Sequence, residues 1–290
     1  MSKGEIILNS SAYENHPIRE GSIEAFVAHM DGSSPLLSYD RLPRQFSSQG
    51  LEQFLTRCQE CPKPDDVNEV GGFILLDLNL RRLLYPQGLV SGHDEVDLEY
   101  PTNLPNSQTP IATVHTHPHD TCASVPDLMV ATNGLQNNPH RVVPLNALST
   151  PNYHYALIRT SETVRKDIFR FYDNQYCPQL EPHQVQAFLR GATPQAQQFS
   201  ADARAFARLQ NFIESNVYGG TSDMRELYRR FWQIFTVAKY LKLGYYVSTK
   251  NGNFQQFTEN LMVIHSARIY QRAIDSAIRL NPSLHPHSRD

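Results

Sequence analysis

The chain has 290 residues, of which 40% are hydrophobic, 10% aromatic and only 19% charged. This composition suffices for a sizeable buried core and excludes a disordered polyelectrolyte. No apolar run approaches the roughly 18 residues that a membrane-spanning helix needs, and the first residues carry no secretory signal. We therefore expect a cytoplasmic protein, or one exported by a specialised secretion system without a signal peptide.

Charge is distributed unevenly along the chain. Residues 1–159 carry 10 Lys/Arg and 18 Asp/Glu, a balance of −8, whereas residues 160–290 carry 16 and 11, a balance of +5. This contrast predicts two units of different character. The basic excess is too small and too scattered for a nucleic-acid surface, and the four cysteines do not follow the pattern of a disulfide scaffold.

The front of the chain begins with an extension. Residues 1–48 mix short candidate strands with a Ser-, Gly- and Pro-rich stretch, and we interpret them as an N-terminal extension without a core of its own. From residue 48 a helix is predicted, because apolar side chains recur at the spacing of one helix face: Leu51, Phe54, Leu55 and Cys58. Residues 70–77 predict a strand, with residues 81–85 as its hairpin partner.

The remaining elements divide the chain into two further parts. After a long irregular loop over 86–110 we predict strands at 111–114 and 153–159 and a helix over 124–135, so that residues 49–162 form a compact α/β (α+β) domain. Helix-period apolar residues then recur over 201–217, 223–243 and 254–280. They predict an all-α accessory domain over residues 165–290.

One segment carries the chemistry: Thr113-Val114-His115-Thr116-His117-Pro118, followed by Ser124-Val125-Pro126-Asp127. Positions i and i+2 of a strand project from the same face, so His115 and His117 can present their imidazoles to one point. Ser124 fits a helix N-cap, which puts Asp127 in the first helical turn, next to the strand end. Two imidazoles and one carboxylate, with a fourth position left to water, are the ligand set of a catalytic zinc site.

Other interpretations of these residues stay open. Ser124-x-x-Asp127 is by itself a capping box, whose acidic residue bonds backbone N–H groups. Cys122 suggests a Cys–His protease with His117 or His119 as the base, although no third supporting group is nearby in the sequence. A single Cys58-x-x-Cys61 lacks the second pair of a zinc ribbon. The combination of His-x-His with Ser-x-x-Asp favours the metal site.

The motif resembles that of the JAB/MPN (JAMM) zinc metallopeptidase family. Its upstream glutamate is matched by Glu69 in Asn68-Glu69-Val70-Gly71-Gly72, and the resemblance covers about residues 49–162. It implies a central sheet flanked by helices, with one zinc ion per chain bound by His115, His117 and Asp127. It also implies Glu69 as general acid/base and Ser124 as a donor to the oxyanion. Three acidic residues in the following loop remain alternatives to Glu69: Glu95, Asp97 and Glu99.

The function that the resemblance implies is hydrolysis of a peptide or isopeptide bond. Only five residues separate Pro118 from Ser124, which is similar to bacterial JAB-like domains, including those attached to polymorphic toxins. The expected partner is a protein substrate, with ubiquitin and ubiquitin-like proteins as candidates. A non-catalytic MPN-like scaffold that binds protein partners, and a JAB-like toxin or effector hydrolase with a different substrate, are the alternatives.

Overall fold

The structure, a computed structural model, describes residues 5–6, 13–28, 37–61, 68–86, 89–93, 96, 98, 100–101, 103–133, 143–163, 208–209, 211–212 and 224–284. The chain divides into two units. The first unit combines residues 1–168 with 236–256, and the second combines residues 169–235 with 257–290. Both units are therefore discontinuous in sequence.

The first unit is built on one mostly antiparallel sheet. Its strands are β1 Glu5–Ile6, β2 Tyr13–Pro17, β3 Gln45–Ser47, β4 Asn68–Asp77, β5 Arg82–Pro86, β6 Val90–His93, β7 Gln108–Thr116, β8 Leu145–Ser149, β9 His154–Ile158, β10 Gly244–Ser248 and β11 Asn253–Gln256. Nine of them lie in the order β1-β6-β4-β7-β8-β9-β10-β11-β3, while β5 pairs with β4 and with β2. Among the described strands only β7 and β8 are parallel.

Helices of the first unit flank this sheet. They are α1 Ile23–Ala28, α2 Gln49–Glu60 and α3 Val125–Asn133, with a 3-10 turn at Tyr39–Arg41. Helix α2 packs against β7 and β8 and buries the four residues whose spacing predicted it: Leu51, Phe54, Leu55 and Cys58. The predicted α2 is confirmed, and its apolar face is part of the largest buried cluster of the first unit.

The pairing of β4 with β7 sets the frame for the motif. The two strands are antiparallel, with Gly71 opposite His115 and Val114 opposite Gly72. On its other side β7 runs parallel to β8, which places His115 beside Leu148 and Thr116 beside Ser149. The end of β7 is thus paired with a strand on each side, β4 and β8, and does not lie at a sheet edge.

The second unit is helical where it is described. Helix α4, Met224–Tyr240, begins in this unit, and helix α5, Glu259–Leu280, lies in it, followed by a 3-10 turn at Pro282–Leu284. Thr258 caps α5, since its hydroxyl accepts from the Leu261 N–H at 3.2 Å. Inside the unit the ring of His265 meets Phe231 and Phe257 edge-on, at centroid distances of 5.5 and 5.4 Å. Within the described residues, no helix is both long and apolar enough to cross a membrane.

The predicted mixed α/β fold with a central sheet flanked by helices is confirmed, whereas a separate all-α domain over 165–290 is not. Residues 244–248 and 253–256 form β10 and β11, which pair with β9 and β3 of the first unit. Aromatic and β-branched residues favour this hairpin, and both Lys250 and Gly252 adopt a positive φ in its turn. The helix predicted over 254–280 therefore starts only at Glu259, while most of that predicted over 201–217 lies outside the described residues.

The loop predicted over residues 86–110 also contains regular structure. Residues 90–93 form β6, which pairs with both β1 and β4, and β7 begins at Gln108. Strand β6 was not predicted because it is only four residues long and includes Ser91 and Gly92, and glycine in particular is rare in strands.

Candidate metal centre

Strand β7 and the residue that follows it bring the two histidines together. His115 lies in the strand and His117 directly after it, and both are 8% exposed. Their Nε2 atoms are 3.1 Å apart. The backbone N–H of His117 donates to the carbonyl of Ser149 at 2.7 Å, so the chain keeps its sheet-like direction for one residue beyond the strand. The prediction that both imidazoles meet at one point is confirmed.

The first turn of α3 brings a carboxylate to the same point. Asp127 is 5% exposed, and its Oδ1 lies 2.9 Å from Nε2 of His115. Its Oδ2 lies 3.6 Å from Nε2 of His117 and accepts from both the backbone N–H and the hydroxyl of Ser124, at 2.6 and 2.7 Å. Oδ2 of Asp127 thus accepts the capping hydrogen bonds, while Oδ1 lies close to His115.

Strand β4 supplies the fourth group. Glu69 pairs with Gly92 in the β4–β6 ladder, and its Oε1 is 4.0 Å from Nε2 of His117. Next to it, the N–H of Val70 donates to the buried hydroxyl of Thr116 at 3.0 Å, which fixes β4 against the end of β7. Ligand atoms of Glu69, His115 and His117 all lie within 4.8 Å of one another, close enough to bind a metal ion.

The spacing of these donor atoms fits a small four-coordinate ion. Zn–N bonds of about 2.0–2.1 Å in tetrahedral geometry place neighbouring ligand atoms roughly 3.3 Å apart. The separations observed here are 3.1 Å between the two imidazole nitrogens, and 2.9 and 3.6 Å from those nitrogens to the Asp127 carboxylate. Imidazole nitrogen with a carboxylate is also a donor set that suits zinc better than magnesium or calcium.

The charged groups of the site shift one another's pKa values. Burial acts to lower the pKa of His115, but the adjacent carboxylate of Asp127 and the charge of Glu69 outweigh it, so this pKa is raised. Burial acts to raise the pKa of Asp127, but the two imidazoles and the Ser124 N–H outweigh it and hold this pKa well below its usual range. Asp127 is therefore an ionised acceptor at neutral pH. A metal ligand has to be deprotonated, so the raised pKa of His115 means that a metal ion would compete with a proton at this ring.

The five-residue spacer between Pro118 and Ser124 is anchored at several points. The Thr121 hydroxyl lies 2.9 Å from Nδ1 of His117, on the ring side away from the other ligands. The carboxylate of Asp120 accepts from the Thr150 hydroxyl and from the backbone and side chain of Asn152. The Ala123 N–H donates to the hydroxyl of Tyr245, a residue of β10, at 3.3 Å. Such second partners orient a histidine ligand and fix which ring nitrogen carries the proton.

Sequence reasoning missed these supporting residues. The sequence around Thr121 has no feature that marks it, apart from its position four residues after His117. Tyr245 is 122 positions away in sequence from Ala123, whose N–H donates to its hydroxyl. Only the pairing of β9 with β10 brings Tyr245 to the site. No local pattern of the sequence could have indicated either contact.

The remaining sequence candidates receive less support from the geometry. The ring nitrogens of His117 face Thr121 and His115, and His119 is exposed; the Cys122 protease interpretation stays a prediction. Cys58, Cys61 and Cys122 are in no disulfide. Three alternatives to Glu69, namely Glu95, Asp97 and Glu99, lie outside the described residues.

Comparison of the chain with models of protein families, with curated proteins and with solved structures found no match to any of them.

Proposed function

We propose that this chain is a zinc-dependent hydrolase of the JAB/MPN kind that cleaves a peptide or isopeptide bond. The observation that supports it best is the convergence of Glu69, His115, His117 and Asp127, with the two imidazole nitrogens 3.1 Å apart and the aspartate 2.9 Å from the nearer one. Four groups from three separate elements meet in the order and chemistry that the resemblance implies. Helix capping alone explains none of the contacts of His115 and His117.

In this proposal His115, His117 and Asp127 bind the metal. Zinc bound by such a set acts as a Lewis acid toward a carbonyl and yields a nucleophile from water near neutral pH. The chain's own contribution is to hold the donors in place. The lowered pKa of Asp127 keeps it ionised and its cap with Ser124 fixes it, while Thr121 contacts the ring of His117.

Glu69 is the proposed general acid/base. Its carboxylate is farther from the imidazoles than that of Asp127, 4.0 Å at the closest, and its side chain is 13% exposed. A carboxylate at that distance from the imidazoles can accept a proton from water and deliver it to a leaving amine. Ser124 donates its hydroxyl proton to Asp127 here, so its predicted role as an oxyanion donor requires that hydrogen bond to be exchanged during turnover.

The substrate class comes from the resemblance alone. A protein substrate is proposed, with ubiquitin and ubiquitin-like conjugates as the first candidates to test. Retention of the complete donor set together with Glu69 favours an enzyme over a scaffold that binds partners without catalysis. A toxin or effector hydrolase would share the metal and Glu69, and would differ in which bond it cleaves.

The test combines metal content with turnover. Wild type, His115→Ala, Glu69→Gln and the exposed-acid control Glu20→Gln are purified without chelators, analysed for zinc, and assayed on a panel of peptide and isopeptide substrates. We expect about one zinc per chain in all but His115→Ala. Turnover should be lost in His115→Ala and should fall by about 10²–10⁴-fold in Glu69→Gln.

Two outcomes would contradict the proposal. Wild-type protein that binds no zinc, even when zinc is offered, would favour the scaffold. Full turnover in Glu69→Gln would remove Glu69 as the acid/base and leave Glu95, Asp97 and Glu99 as the candidates.

A further inference from the structure

A buried asparagine lies directly beneath the helix that carries Asp127. Asn146 is in β8, between Thr113 of β7 and Leu157 of β9, and is 2% exposed. Its side-chain Nδ2 donates to the backbone carbonyl of Asp127 at 3.1 Å. This hydrogen bond joins the centre of the sheet to the first turn of α3, at the residue whose carboxylate faces His115.

Stability alone does not account for an asparagine at this position. The carbonyl of a residue in the first turn of a helix already accepts an N–H from within the helix, so it does not need a second donor. The other end of the amide, Oδ1 of Asn146, is buried and has no hydrogen-bond partner among the residues that the structure describes. Burying such an acceptor is unfavourable, and the neighbours in β8, Leu145 and Ala147, are buried and apolar.

The contact does explain the placement of Asp127. The Ser124 cap fixes Asp127 relative to its own helix, but it does not fix that helix relative to β7, where His115 and His117 lie. Packing of α3 against β8 and β9 holds the helix on the sheet, and Asn146 adds a directional contact, because β8 pairs in register with β7 and the amide reaches from β8 to α3. Metal–ligand distances have to match their usual values within about 0.2 Å, so a small shift of α3 along the sheet would separate Asp127 from the histidines.

We propose that Asn146 is a positioning residue of the metal centre, which fixes α3 so that the Asp127 carboxylate meets His115 and His117. This inference depends on the proposed function, since it assumes that these three residues bind a metal. Asn146 itself is not a ligand and does not touch the substrate. Its loss should therefore weaken metal binding and alter the coordination geometry while the fold persists.

The test compares Asn146→Leu, which keeps the branched shape and the number of heavy atoms and removes the donor, with Thr113→Val. Thr113 is a matched control, because it is the neighbour of Asn146 across the β7–β8 pair and its buried hydroxyl likewise has no partner within the described part of the chain. Zinc affinity is measured on metal-free protein with a chromophoric competitor, and the visible absorption of the cobalt(II) form reports the coordination geometry. The melting temperature of the metal-free protein is recorded in parallel.

For Asn146→Leu we expect zinc binding to weaken by about 10–100-fold, a changed cobalt spectrum, and a metal-free melting temperature equal to or above that of wild type. Thr113→Val should bind zinc like wild type. Equal zinc affinity and an unchanged cobalt spectrum in Asn146→Leu would overturn the inference while leaving the proposed function intact. Absence of zinc binding in wild type would overturn both. If Asn146→Leu does not fold, Asn146→Ala is measured in the same way and is subject to the same outcomes.

Discussion

The contact between β4 and β7 beneath His115 depends on a residue without a side chain. A Cβ added to Gly71 would lie 2.6 Å from the backbone oxygen of Val114 and 3.1 Å from Cβ of His115. Favourable carbon contacts begin at about 3.5 Å, so Gly71→Ala forces the two strands apart by roughly 0.5–1 Å. Overpacking of this kind typically costs about 1–3 kcal/mol of unfolding free energy. The same displacement exceeds the roughly 0.2 Å tolerance of a metal site.

The assay therefore measures two properties of Gly71→Ala. We expect the melting temperature to fall by about 2–4 °C for each kcal/mol lost, and zinc affinity to fall by about tenfold or more. Gly72→Ala is the matched control. Its added Cβ would lie 3.2 Å from Cγ of the Pro86 side chain and would approach no backbone atom as closely as in Gly71→Ala. The Pro86 ring needs to give by only a few tenths of an ångström, so Gly72→Ala should keep wild-type zinc affinity.

The comparison separates a steric role from general destabilisation. If Gly71→Ala and Gly72→Ala lower the melting temperature equally and both keep zinc affinity, the reasoning about close strand approach under His115 is wrong. A loss of zinc affinity only in Gly71→Ala supports it, because the two substitutions add the same methyl group one residue apart.

Three further predictions concern single side chains. Thr121→Val removes the hydroxyl beside Nδ1 of His117, and zinc affinity in a competitor titration should fall by about 10–100-fold; an unchanged affinity would exclude this orienting role. Ser124→Ala removes the cap hydroxyl and should cost about 0.5–2 kcal/mol in denaturant unfolding, whereas no loss would mean that the backbone N–H alone suffices. Burial lowers the pKa of His154 from 6.5 to about 3, so the folded chain binds fewer protons than the unfolded chain in this range and loses stability as the pH falls from 6.5 toward 3. In His154→Gln the fall in melting temperature between pH 7 and 4 should be smaller, and an identical slope would refute this assignment.

Much of the first unit could be predicted because its signals are local. Helix α2 followed from four apolar residues on one face, and residues 111–114 of β7 from an apolar run that leads into the histidines, whereas the start of β7 at Gln108 was expected to be loop. The ligand geometry followed from the two-residue repeat of a strand and from the capping preference of serine. These rules act within about ten residues, so the sequence of a single element is sufficient to apply them.

The parts that could not be predicted depend on long-range pairing. Strand β10 is buried along its whole length, so it lacks the alternation of apolar and polar residues by which a half-exposed strand is identified. It also lies between the helices predicted over 223–243 and 254–280, so an all-α structure was expected for the rear of the chain. Its pairing with β9 determines that Tyr245 reaches the spacer loop, and no spacing rule contains that information.

The Ser124-x-x-Asp127 motif shows why the sequence left two interpretations open. A carboxylate with a single acceptor oxygen could serve either as a helix cap or as a metal ligand. Asp127 has two oxygens, and they have different partners here. Oδ2 accepts from Ser124, and Oδ1 meets His115. The cap therefore supports the proposed ligand role, because the hydrogen bonds at Oδ2 hold the carboxylate plane while Oδ1 is directed to His115. Capping and the proposed ligation differ instead in what they require of β8, since only ligation needs α3 to be fixed relative to β7, and the hydrogen bond from Asn146 contributes to that constraint.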